Sequence, residues 1–128
     1  MHTDWNIQYR NYSSPYAMAK LLAKFYRDSI LFQKSREYLW NVMVKTTTGA
    51  KRLKGKLPEG TIVGHKTGSS GTNENGLTAA TNDVGIVILP NKMPIAIVVF
   101  VSDSNAKEII REEIIADIAK AVWDAYVL

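Results

Sequence analysis

An α+β fold is predicted, with two helices, then a three-stranded antiparallel sheet, then one long closing helix. Apolar residues recur at helical spacing from residue 15 to 45. Three runs separated by turn signals, with β-branched residues in each, follow between 61 and 101, and a helical stripe resumes beyond 104. With 128 residues, 46% of them apolar, the chain can bury one core and is too short for two domains of ordinary size. Charged residues make up 22% and aromatics run from Trp5 to Tyr126, so the compositional signature of disorder is absent.

Ser14-Pro15 starts the first helix, a capping hydroxyl followed by the residue whose missing N–H costs nothing at the first helical position. Met18, Leu21, Leu22 and Phe25 form its buried face, with Lys20, Lys24 and Arg27 largely outside it. Ser35 is expected to cap a second helix with apolar residues Leu39, Val42 and Met43, ended by Thr46 to Gly49. Residues 49–60 read as a loop with at most one short helical turn. Strands are expected over residues 61–67, 78–89 and 95–101, the last an apolar run suited to cover on both faces. Residues 90–94 make a short turn and 68–76 a longer glycine-rich and polar loop, so a meander is the simplest topology. Ser102-Asp103-Ser104 is expected to cap a final helix reaching about Tyr126, buried through Ile110, Ile114, Ile118, Ala121, Val122 and Ala125. No repeat, low-complexity segment or linker interrupts this order, so residues 1–128 form a single region.

The formal charge is +4, and between residues 45 and 66 six basic residues (Lys45, Lys51, Arg52, Lys54, Lys56, Lys66) face only Glu59. Such a cluster is usually a solvated surface. Nucleic acid is not expected as a partner, because no recognition motif is present and aromatics do not alternate with the basic residues. The absence of cysteine removes disulfides and thiolate sites, and with two histidines no metal site is expected. No apolar run reaches the roughly 18 residues of a bilayer span, and residues 1–10 lack the layout of a secretory signal. No membrane association is expected.

Lys66-Thr67-Gly68, followed by Ser69-Ser70, stands at the end of the first expected strand and is the most informative segment of the chain. A cation and a hydroxyl side by side suit a carboxylate, backbone N–H groups suit a carbonyl becoming an oxyanion, and glycine permits close approach. The tripeptide alone recurs by chance, but its surroundings are specific. Pro15 to Ala19, Thr48 to Pro58, His65 to Gly68, Thr81 to Ile86 and Leu89-Pro90 occur in the order and spacing of class A serine β-lactamases. The chain resembles the C-terminal half of such an enzyme. It is most similar to the extended-spectrum cephalosporinases of Bacteroides-type bacteria, which share the extra residues around Ser69 to Asn75.

The resemblance implies part of a β-lactamase/transpeptidase-like fold and, in the intact enzyme, hydrolysis of the β-lactam amide through an acyl-serine intermediate without metal or cofactor. It assigns Lys66 to the electrostatics of the site, Thr67 to the substrate carboxylate, Gly68 to close approach and the backbone N–H of Ser69 to the oxyanion hole. Arg52 stands where some members place a second carboxylate ligand, and no arginine follows before Arg111. Its guanidinium is therefore expected within ~5 Å of the Thr67 hydroxyl.

The family's nucleophilic serine and its lysine (S-x-x-K), the S-D-N loop and the deacylating glutamate all belong to the half that would precede these residues. The single S-x-x-K here, Ser104 to Lys107, is expected to open the last helix, where the family has no nucleophile. No catalytic residue is expected in this chain, which alone should be inactive and should self-associate through an uncovered apolar face or strand edge. The implied partner of the intact enzyme is a β-lactam antibiotic, and its implied location is periplasmic or secreted. His65 could join Asp83 and Ser69 in a triad, but alternation sends it to the face opposite Lys66, and a structural histidine is expected. His2 falls at the end of the family's omega loop. The loop from Gly68 to Gly76 precedes a strand and so does not read as a phosphate cradle. Trp5, Trp40 and Trp123 read as packing aromatics. Two alternatives stand beside this reading, a penicillin-binding transpeptidase and a non-catalytic binding or assembly module.

Overall fold

A computed structural model describes residues 4–28 and 30–127. A 3-10 helix (Trp5–Arg10) leads into α1 (Pro15–Arg27) and α2 (Gln33–Lys45). The strands β1 (Val63–Ser69), β2 (Thr78–Ile88) and β3 (Pro94–Ser104) follow, and α3 (Glu108–Tyr126) closes the chain. The predicted class and element order are therefore observed.

At the start of α1 the Ser14 hydroxyl accepts the Ala17 N–H at 3.1 Å, satisfying one of the donors that a helix N-terminus leaves open. Leu22 and Phe25 are buried, whereas Leu21 is half-exposed, contrary to its expected place on the inner face. Adjacent helical residues point about 100° apart, and a single sheet surface covers only one of the two leucines. The second helix starts earlier than expected. Phe32 is its N-cap without a side-chain bond and Ser35 lies inside the first turn, so Ser35 is not the cap. Met43 is buried while Leu39 and Val42 stay largely exposed, because α2 meets the sheet through Met43 and Trp40. Trp40 lies against β1 at Gly64, where an added Cβ would fall 2.3 Å from its ring.

Successive turns fill residues 48–56, in keeping with the expected loop. The sheet is an antiparallel meander in the order β1-β2-β3, with Thr67 opposite Asp83 and Thr81 opposite Val101. Its two faces carry two cores. Val63, Val87, Leu89, Ile97 and Val99 pack with Leu53 from the loop and Ile115, Ala119 and Trp123 from α3. Ile86, supported by Val84, Ala96 and Val98, packs against Leu22, Phe25 and Met43. The apolar run of β3 is thus covered on both sides.

Two expectations about α3 are corrected. Ser102 and Ser104 belong to β3, paired with Ala80 and Thr78, and the helix starts at Glu108 with Lys107 as N-cap and no side-chain cap bond. The sheet ladder claims these residues before a cap can form. The buried stripe is also displaced by one residue. Arg111, Ile115, Ala116, Ala119 and Trp123 face inward, while Ile110, Ile114 and Ile118 are 42–45% exposed and Ala121 and Ala125 lie outside. Both stripes repeat at i, i+4, so periodicity alone does not separate them. The small Ala116 and Ala119 let the inward stripe approach the sheet closely.

Candidate active site

Ser70 N–H donates to Ala80 O at 2.9 Å and Ile88 N–H to Ile62 O at 3.0 Å. In an antiparallel pair this alternation turns the even-numbered residues of β1 toward β2 and the odd-numbered ones outward. Because β1 is an outer strand of the sheet, the N–H and C=O groups of Thr67 and Ser69 line an edge that no strand among the described residues pairs with. Lys66 is exposed on the α2 side of the sheet, and its ammonium donates to the Thr67 carbonyl. Thr67, half-buried on the opposite side, donates to the Thr48 hydroxyl at 3.2 Å, and Thr48 lies 3.1 Å from the Thr46 hydroxyl. Gly68 is exposed, and a Cβ there would touch only Asn82, at 3.9 Å. Packing within the chain therefore does not require glycine at this position.

Arg52 is buried, against the reading of the basic run as a solvated surface. Its Nε donates to Glu112 Oε2 at 3.0 Å, Nη1 to Asn82 O at 2.9 Å and Gly68 O at 3.3 Å, and Nη2 to the Ser69 hydroxyl at 2.8 Å. The arginine thus reaches the end of β1, where it bonds Ser69 while the Thr67 hydroxyl bonds Thr48. Lys56 is held by Glu113 at 3.2 Å and by Asp117; the bond to Asp117 above all, then that to Glu113, raises its ammonium above the ordinary lysine value. The acids that balance the basic loop therefore come from α3. Glu112 is a site-bordering residue that the sequence reading missed, although a Glu112-Glu113 pair with Asp117 one turn on offered the signal.

His65 and Asp83 are wholly buried, with Nδ1 2.9 and 2.8 Å from the two carboxylate oxygens. Asp83 Oδ2 also accepts the Leu53 N–H at 3.1 Å, while His65 Nε2 has no hydrogen-bond partner among the described residues. With the Ser69 hydroxyl held by Arg52 and the imidazole sealed from the surface, these residues form no nucleophilic triad, in line with a structural histidine. Arg111, also missed, is buried and donates to the Thr81 hydroxyl at 2.7 Å and to the Ala106 carbonyl, fastening α3 to β2. The Ser104 hydroxyl accepts the Ala106 N–H at 3.1 Å. Ser104 to Lys107 therefore ends β3 and precedes α3 instead of opening it. His2 lies outside the described residues.

A sequence profile described as "Beta-lactamase enzyme family" matches residues 3–126. The chain belongs to the beta-lactamase enzyme family. It is 53% identical to Beta-lactamase VEB-1 of Pseudomonas aeruginosa over 98% of this chain and 42% of that protein. The crystal structure of the TLA-1 extended-spectrum beta-lactamase matches with a TM-score of 0.98 at 57% identity, over 100% of this chain and 46% of that one. A class A beta-lactamase from Bacteroides cellulosilyticus matches with a TM-score of 0.88 at 35% identity, over 97% and 47%. The class A resemblance read from the sequence is borne out, and the chain spans less than half the length of these relatives.

Proposed function

We propose that these residues form the substrate-binding wall of a class A serine β-lactamase, acting as its C-terminal portion. The nucleophilic serine, its lysine and the deacylating carboxylate then come from sequence outside them. The observation that carries this reading is the edge of β1, where an exposed ammonium, an open glycine and an outward N–H occur within four residues. In the proposed reaction, serine attack on the β-lactam amide forms an acyl-enzyme that water then hydrolyses. The outward N–H of Ser69 stabilises the oxyanion, Gly68 lets the ring approach, Thr67 receives the substrate carboxylate, and Lys66 supports the electrostatics of the site. Arg52 adds positive charge from behind Ser69 and orients its side chain through their 2.8 Å bond. The intact enzyme is proposed to act in the periplasm or as a secreted protein.

The purified chain is expected to show no turnover of a chromogenic cephalosporin above buffer, because binding groups alone form no acyl-enzyme. Turnover that follows the purified chain and survives Lys66→Ala would overturn the assignment. Self-association is proposed as well, since Ile110, Ile114 and Ile118 of α3 are exposed and, among the described residues, the outer edges of β1 and β3 have no strand partner. Light scattering at high concentration is expected to give a mass above the 14.3 kDa of one chain, and a strictly monomeric mass would count against it.

A further inference from the structure

The carboxylate of Asp83 joins three pieces of chain. It lies on β2, both of its oxygens meet His65 of β1, and Oδ2 takes the Leu53 N–H of the loop. Each partner adjoins a residue of the proposed binding wall, His65 next to Lys66 and Leu53 next to Arg52. Gly85 is directly opposite His65, and its lack of a side chain leaves the imidazole room to lean diagonally onto Asp83. At the other end of the loop, Gly49 has φ +69°, and a Cβ there would fall 2.3 Å from the Thr67 methyl and 3.5 Å from His65 Cε1. The loop is thus keyed to β1 at Gly49 and to β2 at Leu53, with Arg52 between the two fixed points.

We propose that Asp83 is a positioning residue, holding the Leu53 amide so that the loop keeps the Arg52 guanidinium against Glu112 and Ser69. The inference rests on the reading above only for what Arg52 serves. A carboxylate with both oxygens engaged can hold His65 and Leu53 together, whereas a carboxamide offers a single acceptor oxygen. Arg52 has direct anchors of its own, and if these suffice, Asp83 has no influence on it.

The test uses the 128-residue chain and nitrogen-15 NMR, following hydrogen exchange at Arg52 Nε–H, the Leu53 amide and the Trp123 indole. Glu112→Gln, which removes the ion pair of Arg52 directly, sets the scale of a released guanidinium. In Asp83→Asn, Arg52 Nε–H is expected to exchange about 10-fold faster or more, the change that loss of one ordinary hydrogen bond produces. The Trp123 signal should stay at its native position. If Asp83→Asn fails to fold, the double variant His65→Leu with Asp83→Leu takes its place, since replacing a buried pair by apolar residues is often neutral for stability yet still removes the acceptor for Leu53. Native protection of Arg52 Nε–H in a folded variant of either kind overturns the proposal. No β-lactam enters the measurement, so that outcome leaves the proposed reaction standing, and cephalosporin turnover by the isolated chain leaves this coupling standing.

Discussion

Ile115→Ala is expected to lower the stability of the chain by about 2–5 kcal/mol, the usual cost of emptying a core site, while Ile114→Ala changes it by about 0.5 kcal/mol or less, as exposed positions do. The two isoleucines are neighbours in sequence and chemically identical. Ile115 is 0% exposed, packed with Leu53 and Val87 beneath the sheet, whereas Ile114 is 42% exposed. Urea titration separates them, with a lower midpoint and unchanged slope for Ile115→Ala. Equal shifts for both would show that α3 is rotated from the position described.

Gly85→Ala is the second large effect. A Cβ on Gly85 would lie 2.6 Å from the Gly64 carbonyl oxygen and 2.7 Å from His65 Cβ, and neither neighbour is the free end of a flexible side chain. Overpacking of this kind costs about 1–3 kcal/mol. Some of the crowded atoms belong to His65, so its buried hydrogen bond with Asp83 is weakened too, at a further cost of about 1–3 kcal/mol. A total of about 3 kcal/mol or more is expected from thermal unfolding. Gly71→Ala, with nothing within 4 Å of the added carbon, is the matched control and should shift stability by about 0.5 kcal/mol or less. A Gly85→Ala chain that melts with that control would rule out the close packing of β1 on β2.

The strands were legible because β-branched runs bounded by glycine and proline have few other uses, and α1 because Ser14 and Pro15 mark its start unambiguously. The inward stripe of α3 was not legible, since two stripes one residue apart fit the same period and only the shape of the sheet selects between them. Ser35 and Ser102 to Ser104 misled for a related reason. A hydroxyl can cap a helix, but whether it does depends on where the preceding chain is already held, in β3 by the ladder to β2. At the candidate site, Lys66 to Ser69 could be read directly because the elements that form it are contiguous. The environment of Arg52 could not, because Glu112 lies 60 residues away and the charge count along the loop registered only Glu59. Asp83 was considered with His65 as a catalytic group, while its bond to a backbone amide in the loop left no trace in residue type or spacing.

The alternation along β1 also sets a clock on its amides. Lys66 and Gly68 direct their N–H groups into the ladder opposite Val84 and Asn82 and should exchange with deuterium slowly, while Thr67 and Ser69, pointing outward, should exchange within the dead time of the measurement at dilutions where the chain is a monomer. Slow and fast positions are then interleaved one by one through the most informative segment of the chain. A molecule that seats itself along this edge will retard the fast set and leave the slow set as it was. The strand therefore carries its own record of occupancy, readable residue by residue without any chemical turnover.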